Sequence, residues 1–400
     1  MSATTPIQRT EQAVSPVVPR HLLKLDPWLL LAAVGLALCS FVTLSHSGIA
    51  GAHSYAEKQA LYAAGGLLAA LVISRFDYSR LREFRYVFYG LTIALNVIVY
   101  AMPAEGPSGG EAHRWIPLPG FSFQSSEFGK LLLIVSLAAF AIDRSRRMSE
   151  RGTVARIMLL ALVPAMVVMK QPDLGTALVY IVTACAILFF LGTGWKHLAA
   201  LTALFLVAGA IVLLVAPAVG INVLQTYQKQ RLTTFIDPPA VCNPNSDSTC
   251  YQLQQALIAI GSGEKTGRGA DATQVKFDYV PEAQDDFIFA VIGESYGFAG
   301  AAVVLSLYAL LIWRTLRIVT MSKNLYGTLV ASGVLAMLMF QIFLNIGMAI
   351  GIMPVTGVPL PLISYGGSSV LATFLAIGLL QSIYVQARTS SAGKARVLLV

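Results

Sequence analysis

Long apolar stretches alternate with short polar segments along most of this 400-residue chain. A helix needs about 20 apolar residues to cross a bilayer core of about 30 Å, so each stretch predicts a membrane-spanning helix. Ten spans are predicted, at about 27–47, 59–74, 86–102, 128–142, 157–169, 174–195, 198–219, 287–313, 325–352 and 365–387. The pattern therefore predicts an all-α fold, a polytopic membrane protein with about ten transmembrane helices.

The composition agrees with this class of protein. Hydrophobic residues make up 56% of the chain and charged residues 12%, and the mean hydropathy is +0.69. Soluble domains carry about 25% charged residues, roughly twice as many. The net charge of +8 does not indicate nucleic-acid binding, because the basic residues lie in short loops between apolar spans.

The distribution of these basic residues predicts the orientation in the membrane. Of the 28 Lys and Arg residues, 19 fall on the side of the two termini, which the positive-inside rule places in the cytoplasm. We expect cytoplasmic tails at 1–26 and 388–400, and a ten-helix domain at 27–387 in the cytoplasmic (inner) membrane. The polar segment 220–285 is then a large extracytoplasmic loop.

The segment HRWIPLPGFSFQSSEFGKLLL brings several polar groups to the start of the fourth span. Ser125 or Ser126 can cap the helix, with Glu127 favourable at its positive end. Glu127 and Lys130 are spaced i,i+3 and can form a structural ion pair. The functional alternative is that Arg114 and Lys130 present positive charge to an anionic lipid headgroup.

Three further segments interrupt the apolar pattern on the same predicted side. In KQPDLGTA, Asp173 either caps the sixth helix or shares a polar cavity with Lys170. The glycine-rich AIGSGEKTGRG (259–269) lacks the Gly-Lys-Ser/Thr of a phosphate loop, and it predicts a flexible, close-approaching backbone segment. The prolines and glycines of 345–369 predict a re-entrant segment that lines a cavity, since irregular backbone is not tolerated against lipid.

A cluster of acids precedes the eighth span. Asp278, Glu282, Asp285 and Asp286 stand before its apolar run, and Glu294 lies two turns further in. Asp285 or Asp286 could be an ordinary helix cap. A cap needs one side chain, however, and an acid in a partly desolvated cavity, or one held ionised by nearby cations, suits a general base.

The four cysteines and five histidines show no metal-ligand spacing. Cys39 and Cys185 lie in apolar spans and are predicted to be packed side chains. Cys242 and Cys250 flank a short polar loop, which leaves open a disulfide if that loop faces an oxidising compartment.

Taken together, the polar segments resemble the SEDS family (shape, elongation, division and sporulation), whose branches include FtsW and RodA. The matching motifs are RW and Q-x-SE-x-x-K at 114–130, PDLGTA at 172–177, YQ…AIGSG…G-x-G at 251–269, PEA-x-x-DFIFA-x-IGE at 281–294 and G-x-x-P-x-TG-x-PLP-x-ISYGGSS at 351–369. They occur in the family's order over about 27–387, and PEA with IGE is more similar to the FtsW branch. The chain departs from the family at Ser125, Asp285 and Ser295, where the usual residues are Pro, Thr and Glu.

The resemblance implies a peptidoglycan glycosyltransferase that polymerises lipid II at the outer face of the membrane, for septal or lateral wall synthesis. Its partners would be a class B penicillin-binding protein and other proteins of the division or elongation complex. The family's catalytic Asp falls at Asp286, with Asp285 as an adjacent competitor. A transporter that flips the lipid-linked precursor and a non-catalytic scaffold of the division complex are the alternatives.

Further site residues follow from the same resemblance. Arg114 and Lys130 would stabilise the departing pyrophosphate, and Glu127 and Asp173 would orient those cations. Other substrate contacts are assigned to Ser364, Tyr365, Ser368 and position 253 in YQLQQ. Whether a divalent cation, Mg²⁺ or Mn²⁺, assists the reaction is left open.

Overall fold

The computed structural model describes residues 25–46, 52–102, 114–118, 121–144, 151–210, 231, 248–277 and 279–397. Its helices are α1 (Pro27–His46), α2 (Ala52–Ile73), α3 (Arg85–Ile98), α4 (Ser125–Asp143), α5 (Arg151–Lys170), α6 (Leu174–Phe190), α7 (Trp195–Ala210), α8 (Ser248–Ser262), α9 (Thr273–Lys276), α10 (Ile288–Met321), α11 (Leu325–Ala349) and α12 (Gly367–Val397). Short 3₁₀ helices cover Tyr78–Phe84, Val99–Ala101 and Gly269–Asp271. Strands β1 (Trp115–Leu118) and β2 (Phe121–Gln124) form an antiparallel hairpin that leads into α4.

The all-α, multi-pass prediction is confirmed. Among the described residues, eight helical segments are long and apolar enough to cross a membrane. They are α1, α2, the segment Tyr78–Ala101 that contains α3, α4, α5 and α10 to α12. The sixth predicted span coincides with α6, which is apolar but has only 17 residues. The seventh coincides with α7, whose predicted continuation lies outside the described residues.

Several predicted boundaries are wrong, because hydropathy marks the lipid-facing part of a helix and not its full length. Helix α2 begins at Ala52, seven residues before the predicted 59, since its first two turns are polar. Helix α10 continues to Met321 instead of ending near 313. The predicted loop 220–285 contains α8 and α9.

The bundle has a buried centre and a lipid-facing rim. Helix α12 packs along α2 and also contacts α4, while α11 packs against α6, α10 and α4. In their apolar windows α4, α11 and α12 are 78%, 72% and 89% buried, against 22% for α2 and 17% for the segment containing α3. Large apolar side chains on the outer helices, such as Leu61 and Tyr86, are exposed, as expected for a surface that lipid covers.

A buried ion pair fastens one end of the bundle. The Asp26 carboxylate accepts from the Arg314 guanidinium at 2.9 and 2.5 Å, and its other oxygen caps α1. Gln381 on α12 exchanges two hydrogen bonds with the Asp26 backbone. We call this the terminal end, because it carries the ends of the described chain. We call the other end of the bundle, where α10 starts, the site end.

At the site end, α10 is broken at Gly297, whose φ of 63° and ψ of −158° are not helical. The turn after α8 fills the break. The amides of Phe298 and Ala299 donate to the carbonyls of Glu264 and Lys265 at 2.9 and 3.1 Å, and so replace the partners lost within the helix. The close backbone approach predicted for AIGSGEKTGRG is therefore confirmed, and these bonds hold the segment against α10.

We expect Gly263→Ala to destabilise the protein by about 1–3 kcal/mol, the usual cost of overpacking. A Cβ at Gly263 would stand 1.8 Å from the carbonyl oxygen of Gly293, and neither backbone can move without breaking the bonds at the helix break. Gly261→Ala is the matched control, because nothing lies within 4 Å of its Cβ position. Thermal unfolding in detergent measures both, and equal melting temperatures for the two variants would contradict the packing argument.

Candidate functional site

The two neighbouring acids lie in a turn ahead of α10. The amides of Asp285 and Asp286 both donate to the carbonyl of Glu282 at 3.1 Å, and Glu282 has a left-handed φ of 52°. The N-cap position of α10 is Phe287, which makes no side-chain capping bond. The interpretation of Asp285 or Asp286 as a helix cap is therefore wrong, because the turn carries both carboxyl groups away from the helix amides.

The irregular segment between α11 and α12 holds this turn in place. Ser364 Oγ donates to the Asp285 carbonyl at 2.5 Å, and the Tyr365 amide donates to the Gln284 carbonyl at 2.9 Å. Asn345 Nδ2 donates to the Asp286 carbonyl at 2.9 Å and to that of Val358 at 2.8 Å. The segment predicted to line a cavity thus lies directly against the acids.

Gly357 lies where this segment meets the carboxylate. Its φ is 68°, and the place of its missing Cβ is 3.2 Å from Asp286 Oδ2 and 3.5 Å from a terminal nitrogen of Arg231. The Asp286 carboxylate and the Arg231 guanidinium therefore face the same small space over the glycine. A side chain at 357 would occupy it.

A second turn, between α5 and α6, supplies another acid. Asp173 Oδ1 accepts from the Thr176 amide at 3.0 Å, which confirms its capping of α6, and Oδ2 accepts from Ser126 Oγ at 3.3 Å. Arg114 donates to the carbonyls of Gln171, at 2.9 Å, and of Pro172. Asp173 is buried whereas Lys170 is exposed, so these two residues do not share a buried cavity.

The predicted pair at the start of α4 is confirmed. Lys130 Nζ donates to Glu127 Oε1 at 2.6 Å, and each residue is only 2% exposed. The ammonium group points into the bundle and not toward a surface. The predicted serine cap of α4 is wrong, since the cap position is Gln124 and makes no side-chain capping bond.

Electrostatics single out Asp286. Burial raises the pKa of its carboxyl to about 6, and the arginines Arg231 and Arg114 oppose this rise while Glu282 and Asp173 add to it. Two cations and two anions thus surround one partly exposed carboxylate. Such a group is largely ionised at pH 7 yet basic enough to accept a proton.

Asp285 lies in a different environment. Burial, followed by the charges of Asp286 and Glu282, raises the pKa of its carboxyl well above the usual range. Its Oδ1 is buried and has no hydrogen-bond partner among the described residues. The two adjacent acids are therefore distinguished by Arg231 and Arg114, which act on the pKa of Asp286 only.

Sequence reasoning missed Arg231, the strongest cationic influence on Asp286. It lies in the loop 220–285 outside every quoted motif, and 55 positions separate the two residues along the chain. The sequence offered one signal for Arg231: it is a basic residue in the predicted extracytoplasmic loop, where the positive-inside rule does not call for Lys or Arg.

The remaining predicted contacts mostly support the backbone. Ser368 Oγ accepts from the Gln124 amide at 2.9 Å and donates to the Ser122 carbonyl at 3.0 Å, which ties α12 to the hairpin. The Tyr365 ring packs against Tyr55, with 4.8 Å between ring centroids. Ser364 Oγ, which donates to the Asp285 carbonyl, also accepts from the Leu360 amide at 2.8 Å.

Two other positions need correction or explanation. Position 253 is Leu253, which is 5% exposed, so a polar contact assigned there is wrong; the neighbouring Gln252 and Gln254 are the partly exposed polar groups. Glu294 is buried and accepts from the amides of Gln274 and Val275 at 2.9 and 3.1 Å, so it fixes α9 against α10.

Cysteine and metal chemistry is limited in the described ranges. Cys250 is disulfide-bonded and Cys39 and Cys185 are free, while Cys242, the other member of the predicted pair, lies outside those ranges. No group of three or more His, Cys, Asp or Glu residues within them could hold a metal ion.

These features define a multi-pass membrane protein with a charged site built from loops at one end of its helix bundle. The chain belongs to the FtsW/RodA/SpoVE family of cell cycle proteins, which matches residues 22–389.

Individual relatives cover most of the chain. It is 34% identical to the probable peptidoglycan glycosyltransferase FtsW of Methylococcus capsulatus, over 93% of each chain. It is also 34% identical to the peptidoglycan glycosyltransferase MrdB of Escherichia coli, over 75% of this chain and 78% of that one. A solved peptidoglycan synthase complex, described as coordinating polymerization and crosslinking, contains a chain with a TM-score of 0.74 and 29% identity, over 91% of this chain and 98% of that one.

Proposed function

We propose that this protein is a peptidoglycan glycosyltransferase that polymerises lipid II at the outer face of the cytoplasmic membrane, with Asp286 as the general base. The observation that carries the proposal is the Asp286 carboxylate, held beside Arg231 and within the influence of Arg114, with a pKa of about 6. The names of the relatives support the substrate class.

The chemistry requires a base and a cation at one place. The 4-hydroxyl of one sugar attacks the anomeric carbon of another, the bond from that carbon to the pyrophosphate oxygen breaks, and the configuration inverts. Asp286 accepts the hydroxyl proton as the new bond forms. The pyrophosphate leaves with the electron pair of the broken bond, and its charge is stabilised by positive groups.

Arg231 and Arg114 are the cations we assign to the pyrophosphate. Two carbonyls already position the Arg114 guanidinium, which has further N–H groups to donate. Lys130 is buried and paired, so in this proposal it supports the start of α4 together with Glu127, beneath the turn that holds Asp173. Ser364 and Tyr365 fix the backbone around the acids, and Ser368 ties α12 to the hairpin.

The proposed setting follows the predicted topology. Both termini, at 1–26 and 388–400, are cytoplasmic, and the loop 220–285 is extracytoplasmic, so the site end meets lipid II after its transfer across the membrane. The neighbouring synthase complex supports a class B penicillin-binding protein as partner. The motifs PEA and IGE favour the division role, although FtsW and MrdB relatives are equally identical to the chain.

Incubating the purified protein with lipid II in detergent, with and without the penicillin-binding protein, tests the proposal. An enzyme lengthens glycan strands in a micelle, where no second compartment exists. A flippase or a scaffold gives no product there, so the absence of polymer under both conditions would overturn the assignment. The asymmetry of the site favours the enzyme, because the charged loops around Asp286 lie at one end of the bundle.

We expect Arg231→Gln to move the acid limb of the pH–rate profile to higher pH. Loss of this cation removes the strongest influence that lowers the pKa of Asp286, so the base stays protonated to a higher pH. Lys276→Gln is the control, since this exposed lysine has no part in that pKa. The measurement is the rate of lipid II polymerisation from about pH 5 to about pH 9, a range that includes the pKa of about 6 of Asp286. An unchanged acid limb in Arg231→Gln would contradict the pairing of Arg231 with Asp286.

A further inference from the structure

A cleft of about 260 Å³ opens between α2, α3, α4 and α12, in the part of the bundle toward the terminal end. Ile73, Phe88, Leu131, Val135, Leu375 and Leu379 form much of its wall. Pockets for drug-sized ligands measure about 300–1,000 Å³, so this cleft is slightly smaller and has room for part of one hydrocarbon chain. It is separate from the site around Asp286, which lies at the other end of α10.

The polar groups in the wall of the cleft are already bonded elsewhere. The Asp77 carboxylate accepts from Gln386 Nε2 at 2.9 Å, and the Tyr78 hydroxyl donates to Asn324 Oδ1 at 3.0 Å. Ser382 Oγ donates to a backbone carbonyl at 2.6 Å. The surface left accessible in the cleft is almost wholly apolar, so its occupant must be apolar as well.

Two cations flank the lining segment 76–78. Arg75 and Arg80 are exposed, and neither takes part in an ion pair in the portion of the chain that the structure describes. Arg82 and Arg85, by contrast, both bind Asp143, at 2.8 and 2.7 Å. Arg80 lowers the pKa of the nearby Asp77 carboxyl but forms no ion pair with it. Arg75 and Arg80 therefore place positive charge beside an apolar cleft at a membrane surface.

We propose that the cleft holds an acyl chain of an anionic phospholipid, from the leaflet at the terminal end, with its phosphate bound by Arg75 and Arg80. Basic groups beside gaps between membrane helices are the usual way to bind such headgroups. Phe76 and Phe84 are 66% and 52% accessible, and exposed apolar side chains of this kind are expected on a surface that lipid covers. The proposal concerns a site independent of the glycosyltransferase function.

Native mass spectrometry of the delipidated full chain, with phosphatidylglycerol or phosphatidylcholine added at equal concentration, tests this site. We expect preferential retention of phosphatidylglycerol. Arg75→Gln with Arg80→Gln should weaken it by roughly fivefold per arginine, and Leu379→Trp, which fills the cleft, should weaken retention of both lipids. Arg317→Gln is the control, because this exposed arginine lies on α10, away from the lining.

The outcomes separate the possible occupants. Equal retention of the two lipids, or no change in the double arginine variant, would overturn the proposal. So would an equal loss in Arg317→Gln, which would mean nonspecific attraction to surface charge. Displacement of phosphatidylglycerol by undecaprenyl phosphate at the same concentration would instead assign the cleft to a polyprenyl chain.

Discussion

Asp286→Asn is expected to lower the rate of lipid II polymerisation by about 10²–10⁴-fold, the usual contribution of a general base. Asparagine keeps the shape of the side chain and its contacts near Gly357 and Arg231 but cannot accept the hydroxyl proton. Membrane insertion and thermal stability should be retained. The measurement is the initial rate of glycan formation from lipid II in detergent, at matched protein concentration.

Asp285→Asn is the matched control, because this carboxyl lies next to Asp286 without the influence of either arginine. We expect a much smaller loss of rate. Since the folded-state pKa of Asp285 is raised above its unfolded value, this carboxyl lowers the free energy of unfolding at neutral pH, and the cost disappears as pH falls below both pKa values. The variant should therefore be at least as thermally stable as the parent at pH 7.

The pH dependence adds a second test of the same assignment. A base with a pKa of about 6 must be deprotonated to act, so the rate should rise with pH through about 6 and level off above it. If Asp285→Asn were the inactive variant and Asp286→Asn the active one, the base would be Asp285. Activity near the parent level in both variants would remove the acids from the mechanism.

Local patterns were sufficient to predict most of the scaffold and part of the site. Apolar length identified each described membrane helix, because burial in lipid demands it. The Glu127–Lys130 pair and the Asp173 cap follow from spacings of three residues within one helix turn, and both were found as predicted. Such features depend only on neighbouring residues.

Features that depend on tertiary contacts were missed. Arg231 reaches Asp286 from a separate segment, and Asp26 pairs with Arg314 across 288 positions. The alternative of a helix cap at Asp285 or Asp286 is wrong for a related reason, because the left-handed turn at Glu282 redirects the chain before α10 begins. The hydropathy pattern predicts neither the partner of a distant charge nor the direction of a turn.

The buried pair in α4 gives the second large effect. Lys130→Ala leaves the Glu127 carboxylate without its partner at 2% exposure, and breaking a buried ion pair in this way costs about 3–5 kcal/mol. That is a large fraction of a typical stability of about 5–15 kcal/mol. Arg82→Ala is the control, because its pair with Asp143 is 45% and 30% exposed and should contribute at most about 1 kcal/mol.

The exchange Glu127→Lys with Lys130→Glu separates stability from catalysis. It restores a buried pair of opposite charges, so we expect most of the lost melting temperature to return. Recovery should fall short by about 0.3–1 kcal/mol, because a cation then stands at the positive end of α4.

Polymerisation should stay low in the exchanged variant. The ammonium moves next to Ser126, which binds Asp173 at 3.3 Å, so the turn held by Arg114 is disturbed. Full recovery of lipid II polymerisation by the exchanged pair would show that it serves stability alone, and would remove Lys130 from the site.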